Sequence, residues 1–242
     1  MRVTLAILLA LASKAQPQAV ARVEFEVVSV KPGDPADPAS SSHTTPGRLQ
    51  MRNTTLNNLV RGAFRLNEFQ LEGGPKWAAS QRFHIDAKLP PGALQDQIPL
   101  MMQAMLADRF KLVFHRETKM LPEYELVIAP GGSKLEATRP ESLNDQSSSQ
   151  GDRQIKGKAL SMSNLASMLI SAVGAPVVDR TGLTGKYTIN LAFAPLLGTP
   201  RDDEPLPTIL ALLPQQLGLK LEKTKGPVEV LVIDRVELPA EN

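Results

Sequence analysis

The chain carries one pattern twice, and that repetition limits what it can fold into. Leu56, Leu59, Val60 and Ala63 stand at i, i+3, i+4 and i+7, the stripe of an amphipathic helix, and Met162, Leu165, Ala166 and Leu169 repeat it 106 residues later. A second stripe, Met101, Met102 and Met105 behind Ile98-Pro99, returns at an offset of 108 as Ile209, Leu210 and Leu213 behind Leu206-Pro207. The run Pro122-Glu123-Tyr124-Glu125-Leu126-Val127-Ile128 returns 105 residues on as Pro227-Val228-Glu229-Val230-Leu231-Val232-Ile233, with four of seven residues identical. Three matched elements in the same order, at nearly constant offset, predict an internal duplication.

Strands fill the intervals. Phe83, Ile85 and Ala87 alternate with His84, Asp86 and Lys88, the period of a half-buried strand. Phe25–Val30, Phe110–Phe114 and Tyr124–Ile128 read as further strands, and Gly47–Asn53 as a short one leading into a helix capped by Thr54 or Thr55 and ending near Leu66-Asn67. The Pro/Ser/Gly/Asp-rich stretch up to Pro46 reads as a loop. Each copy becomes β-α-β-β-α-β-β. The expectation is an α+β protein of two homologous domains, residues 23–138 and 153–242, each a small sheet with two helices packed on one face. Residues 139–152 have almost nothing to bury and read as a flexible linker. Pro214 lies inside the last helical stripe and is expected to stop or bend that helix after Leu213.

Residues 1–15 read as a signal peptide: Arg2, the apolar run Val3–Ala12, then Ser13-Lys14-Ala15 with small residues at −3 and −1 of a cut before Gln16. The apolar run is too short to span a bilayer, so membrane association is expected only if the segment stays uncleaved. Cleavage removes two of the 27 basic residues and none of the 25 acidic ones, leaving 25 of each. A formally neutral chain without a recognisable binding module argues against nucleic acid as partner. Zero cysteines exclude a disulfide framework and thiolate metal ligands, so stability must come from burial.

Chemistry is sparse. His43, His84 and His115 are the only histidines, and no H-E-x-x-H motif is present. His84 and Asp86 share a strand face, an arrangement that serves a metal site, a general base or simply a solvated outer face. The second copy offers Thr188 and Asn190 at the matching positions, so only one copy can perform such chemistry. No G-x-S-x-G elbow marks a nucleophile. Glu24/Glu26 and Glu123/Glu125 are spaced for one strand face rather than for opposite sides of a cleft. Asp179-Arg180-Thr181-Gly182-Leu183-Thr184-Gly185 has hydroxyls and glycines suited to holding an anion, but no helix follows it, and it reads better as a strand-to-strand turn. Trp77, on the Gly-Gly-Pro turn, serves either as a lid on the core or as a partner-binding aromatic. No catalytic, cofactor-binding or metal residue is assigned, and no cofactor is expected.

Several long runs resemble the soil-associated family of bacterial proteins of unknown function. They are Phe25–Pro32, Gly73–Trp77, Leu106–Leu112, Pro176–Tyr187, Gly218–Leu221 and the terminal Val228–Asp234 strand. The resemblance implies no activity, cofactor or catalytic residue. Relatives attached to a membrane metallopeptidase of the antibiotic-sensor type imply a sensory or binding role outside the membrane. The element order β-α-β-β-α-β is also similar to the short N-terminal domain of secretins and TonB-dependent receptors, a likeness of fold alone. The expected function is an exported, non-catalytic binding or protein-interaction module, in the periplasm, at the cell surface or outside the cell, with an envelope protein or extracellular ligand as partner. The alternative is an envelope-associated hydrolase using His84 and Asp86.

Overall fold

A computed structural model of the protein describes residues 23–37, 39–139, 147–151, 154–193 and 208–239. The expected leader 1–15, linker residues 140–146 and 152, and the Leu206-Pro207 pair lie outside the described residues. In chain order the strands are β1 Val27–Pro32, β2 Ser41–Thr45, β3 Arg48–Thr55, β4 Leu71–Gly73, β5 Arg82–Lys88, β6 Val113–Ile128, β7 Ser147–Gly151, β8 Gln154–Leu160, β9 Val177–Asp179, β10 Tyr187–Ala192 and β11 Leu219–Arg235. The helices are α1 Leu56–Phe64, α2 Trp77–Ser80, α3 Ile98–Arg109, α4 Met162–Val173 and α5 Ile209–Leu212.

Local chemistry accounts for the helix ends. Thr55 caps α1 by accepting the Asn58 N–H at 3.2 Å, and Arg65 in the left-handed region (φ 54°) closes the helix ahead of Leu66. Ser161 caps α4 through the Asn164 N–H, and Gly174 (φ 67°) ends it without the steric cost of a Cβ. Pro99 sits in the first turn of α3, where its missing N–H leaves no bond unmade. Regular α geometry in the last helix stops at Leu212, and Leu213–Leu217 form a wider π turn around Pro214. The proline has no N–H to donate and its ring crowds the carbonyl four residues back, so the chain loosens where the sequence leads one to expect a bend.

The described residues form an α+β fold with three sheets rather than two, ordered β1-β5-β3-β2, β4-β11-β6-β9 and β10-β8-β7. Three local expectations need correction. β2 emerges from the stretch read as a loop, because Ser41–Thr45 finds the open edge of β3 and pairs with Arg52–Arg48. β7 emerges from the stretch read as linker, pairing Ser147–Gly151 with Lys158–Gln154. The Phe110–Phe114 and Tyr124–Ile128 runs, read as two strands, are joined in the single strand β6 from Val113 onward, because the interval Glu117–Pro122 is held extended by β11.

β6 and β11 make one long antiparallel ribbon, from Val113 opposite Arg235 to Ile128 opposite Leu219. Each half of the chain docks a short parallel strand on it: β4 beside Leu231–Ile233 of β11, and β9 beside Tyr124–Leu126 of β6. Pro122 and Pro227 fall in the middle, where the ribbon is only two strands wide and one side of each strand needs no donor. The ribbon also decides where the cores divide. One cluster gathers Val30, Leu49, Phe83 and Ile85 of the first sheet, Leu56 and Leu59 of α1, Met105 and Leu106 of α3, and also Leu231 and Ile233 of β11. The other gathers Ile155, Leu165, Leu169, Ile189, Leu213 and Leu219 with Leu126 of β6. Each core thus contains residues supplied from the far side of the 139–152 segment.

Two outcomes follow from this packing. Residues 23–138 produced alone should fail to give a cooperative thermal transition, since they lack β11, whereas the two halves 23–138 and 147–242 co-expressed should purify together as one complex. Independent folding of the first half, seen as native-like dispersion in its NMR spectrum, would contradict the ribbon's role. Leu59 and Leu165 are both fully buried, so alanine at either should lower stability by about 2–5 kcal/mol in urea unfolding.

Candidate functional site

The strand period sorts the first sheet into an apolar and a polar face. Val30, Leu49, Ile85 and Ala87 turn into the core, so their neighbours on β1, β3 and β5 must face out. Register then sets three rows across the sheet. Val27, Lys88, Arg48 and Thr45 form one; Ser29, Asp86, Gln50 and His43 the next. In the third, Lys31 stands opposite His84 on one side, and Arg52, opposite Ser41, lies on the other. The face is concave, a cleft of about 770 Å³ lined by Lys31, Arg48, Arg52, His84, Asp86 and Lys88.

His84 and Asp86 share this face as their spacing predicts, yet each is held by a different partner. Arg48 grips Asp86 with both arms of its guanidinium, Nε donating to Oδ1 at 2.7 Å and Nη2 to Oδ2 at 2.5 Å, while Gln50 Nε2 donates to Oδ2 at 3.2 Å. The Arg48 guanidinium holds the Asp86 carboxyl below the usual carboxylate range, with the Gln50 hydrogen bond and the charge of Arg52 acting in the same direction and burial opposing them. His84 instead accepts the backbone N–H of Asn53 on Nδ1 at 3.1 Å. In the neutral ring that bond assigns the proton to Nε2, leaving an N–H donor on the imidazole.

Asn53 is the residue that sequence reasoning missed. The β3–β5 register slips between Met51 opposite Ile85 and Thr54 opposite Phe83, so Arg52 and Asn53 together face the single residue His84. Asn53 takes the left-handed conformation (φ 53°), which its short amide side chain tolerates. Its carbonyl accepts from Arg82 Nη1 at 3.0 Å, and its side-chain Nδ2 donates to the carbonyls of Asp37 and Ala39. Gly33 belongs to the same knot, since a Cβ there would lie 2.5 Å from the Asn53 Oδ1. A lone Asn in a strand carries no signal of a bulge, so only pairing reveals it.

The other candidates resolve into structural roles. Asp179 Oδ1 accepts both the N–H and the hydroxyl of Thr181, at 2.9 and 2.8 Å, and the Thr181 Oγ1 accepts the Leu183 N–H, which closes a tight turn upon itself. Trp77 packs edge-on to Phe83, ring centroids 6.4 Å apart, against the core. Glu26 pairs with Lys88 at 2.6 Å and Glu125 with Arg180 at 3.5 Å. A second His/carboxylate pair, His115 Nδ1 and Asp234 Oδ1 at 2.8 Å, bridges the ribbon. The two residues stand 119 apart in sequence and meet only through the β6–β11 register. Among the described residues no three His, Asp or Glu side chains cluster as metal ligands, and no helix is long and apolar enough to cross a membrane.

Residues 57–236, which take in α1 from its second residue, all of β5, the second core, most of the first and the ribbon, match the family model described as a protein of unknown function (DUF3738). The chain belongs to this family. No curated protein and no solved structure matches it. Within this DUF3738 chain, His84, Asp86 and Asn53's partner Arg82 fall inside the matched segment, whereas Lys31, Arg48 and Arg52 precede it.

The Arg48–Asp86 pair gives a pH-dependent outcome. Because the folded carboxyl titrates below its unfolded value of about 3.9, the pair contributes to stability above that pH, and the contribution is lost as pH falls through the lower folded value. An NMR titration of the Asp86 side-chain carbonyl should show a midpoint below 3.9, and Arg48→Gln should move it upward.

Proposed function

We propose that the chain is an exported, non-catalytic binding module that meets its ligand on the outer face of the β1-β5-β3-β2 sheet. The observation that carries this reading is the separation of His84 from Asp86. Both carboxylate oxygens of Asp86 are bonded to Arg48, and His84 is turned onto the Asn53 N–H, so the two share a face without sharing a hydrogen bond. A carboxylate committed to a guanidinium fork is a weak base, and a metal would have to displace that fork to reach it. What the face offers is donors. The hydrolase reading retains the same two residues and is the outcome that the experiment below would reveal.

Export is supported by Arg2, the apolar run Val3–Ala12 and the small residues before Gln16. The motif runs similar to the soil-associated family support a sensory or binding role outside the membrane, with an envelope protein or extracellular ligand as partner. We further read the scaffold as a duplicated unit. The α1 and α4 stripes recur at an offset of 106, and β4 and β9, separated by the same 106 residues, each dock parallel on the shared ribbon.

The test is a comparison of the purified chain with the His84→Gln, Asp86→Asn double variant. Metal analysis should find no stoichiometric transition metal in either, and the double variant should unfold within about 1 kcal/mol of the parent, as expected for an exposed ion pair. A bound metal lost in the double variant, or a hydrolytic turnover that it abolishes, would move the chain to the enzymes.

A further inference from the structure

The third row of the polar face is built differently from its neighbours. In the other two rows the charges are answered within the protein: Arg48 by Asp86, and Lys88 by Glu26. In the third, Lys31 and Arg52 have no ion-pair partner within 4.0 Å among the described residues, Arg52 acting on Asp86 only through its charge, and between them stands His84, whose other ring nitrogen is a donor. Neighbouring strands lie about 4.8 Å apart, so the two cations flank the imidazole at roughly one strand spacing on either side, and their long side chains can close over it. The bulge at Arg52-Asn53 is what brings an arginine and the His84 anchor to the same step of the sheet.

We infer that this row, Lys31, His84 and Arg52, binds a phosphate monoester group on a soluble ligand. The argument rests on the binding-module reading and deepens it. Two formal positive charges match a phosphate dianion, and three donors from three adjacent strands suit a group that presents three oxygens. A carboxylate has two oxygens and one charge, and on the same face Asp86 is met by a single cation, Arg48, with the neutral Gln50 amide beside it. The β10-β8-β7 sheet provides an internal comparison. Lys156 and Lys158 are also exposed there, but Lys156 is paired across to Asn190 and Ser149 and Lys158 to Ser147, with no arginine or histidine among these partners.

The experiment titrates inorganic phosphate and phenyl phosphate into the full chain, followed by calorimetry and amide NMR shifts. Saturable one-to-one binding is expected, with shifts on β1, β3 and β5. Lys31→Gln and Arg52→Gln should each weaken it at least about tenfold, the loss expected for a charge-assisted hydrogen bond. Lys156→Gln with Lys158→Gln should leave it unchanged. No saturable binding, equal loss in the Lys156/Lys158 variant, or binding only to phosphatidic acid vesicles would overturn the inference and leave the binding-module reading standing. Release of phenol that His84→Gln abolishes would support the site and overturn the non-catalytic reading, so the two failures are distinct.

Discussion

Everything in this fold leans on the pairing of β6 with β11. The ribbon gives the short strands β4 and β9 an edge to dock on, and three-residue strands do not persist without one. It carries Leu126 into one core and Leu231 and Ile233 into the other, so the two hydrophobic clusters share covalent supports. Burial of those side chains is worth on the order of 2 kcal/mol each, which a separated half would have to find elsewhere. The hydrogen bonds of the ribbon contribute specificity of register more than net energy. Its two prolines sit between the two docked strands, so they also blunt a stretch at which both outer edges lie open.

The polar sheet face depends on that frame at one remove. Apolar alternate residues commit β1, β3 and β5 to the first core, and the period of two then leaves no choice about what faces out. The bulge at Asn53 breaks the regularity once. It gives His84 a backbone donor and moves Arg52 alongside, while Arg82, Asp37 and Ala39 hold Asn53 in a conformation that most side chains avoid. A chain whose formal net charge is only +2 can still offer a positive surface, because its acids are spent elsewhere. Glu72 and Glu117 both serve Lys119, and Glu229 serves Arg116, all on the ribbon or beside it.

The sequence was informative where a pattern is local. The stripes of α1 and α4, the threonine cap of α1, the alternation of β5 and the loosening at Pro214 are all readable within one or two turns of chain. What stayed hidden depends on partners far away. Ser41–Thr45 has no apolar alternation and becomes a strand only because β3 has an open edge; Glu117–Pro122 lacks alternation too, ends in a proline, and becomes a strand only because β11 runs beside it. The same holds for the site. That His84 and Asp86 share a face follows from their spacing, but their separation by Arg48 and Asn53 rests on cross-strand register across more than thirty residues. The His115–Asp234 pair was invisible for the same reason at greater range.

The length of the loop that the ribbon closes has a consequence in time. Val113 waits for Arg235, so the half of the protein made first cannot complete its core until the last described strand has been delivered. Until then β6 is an unpaired strand with both edges bare, and Phe114 and Leu126 have only part of their native cover. Such a chain invites pairing with the wrong neighbour. Under the export proposed above, threading through a translocation pore would lessen this hazard, because it keeps the first strand apart from its competitors until the whole sequence has arrived on the far side.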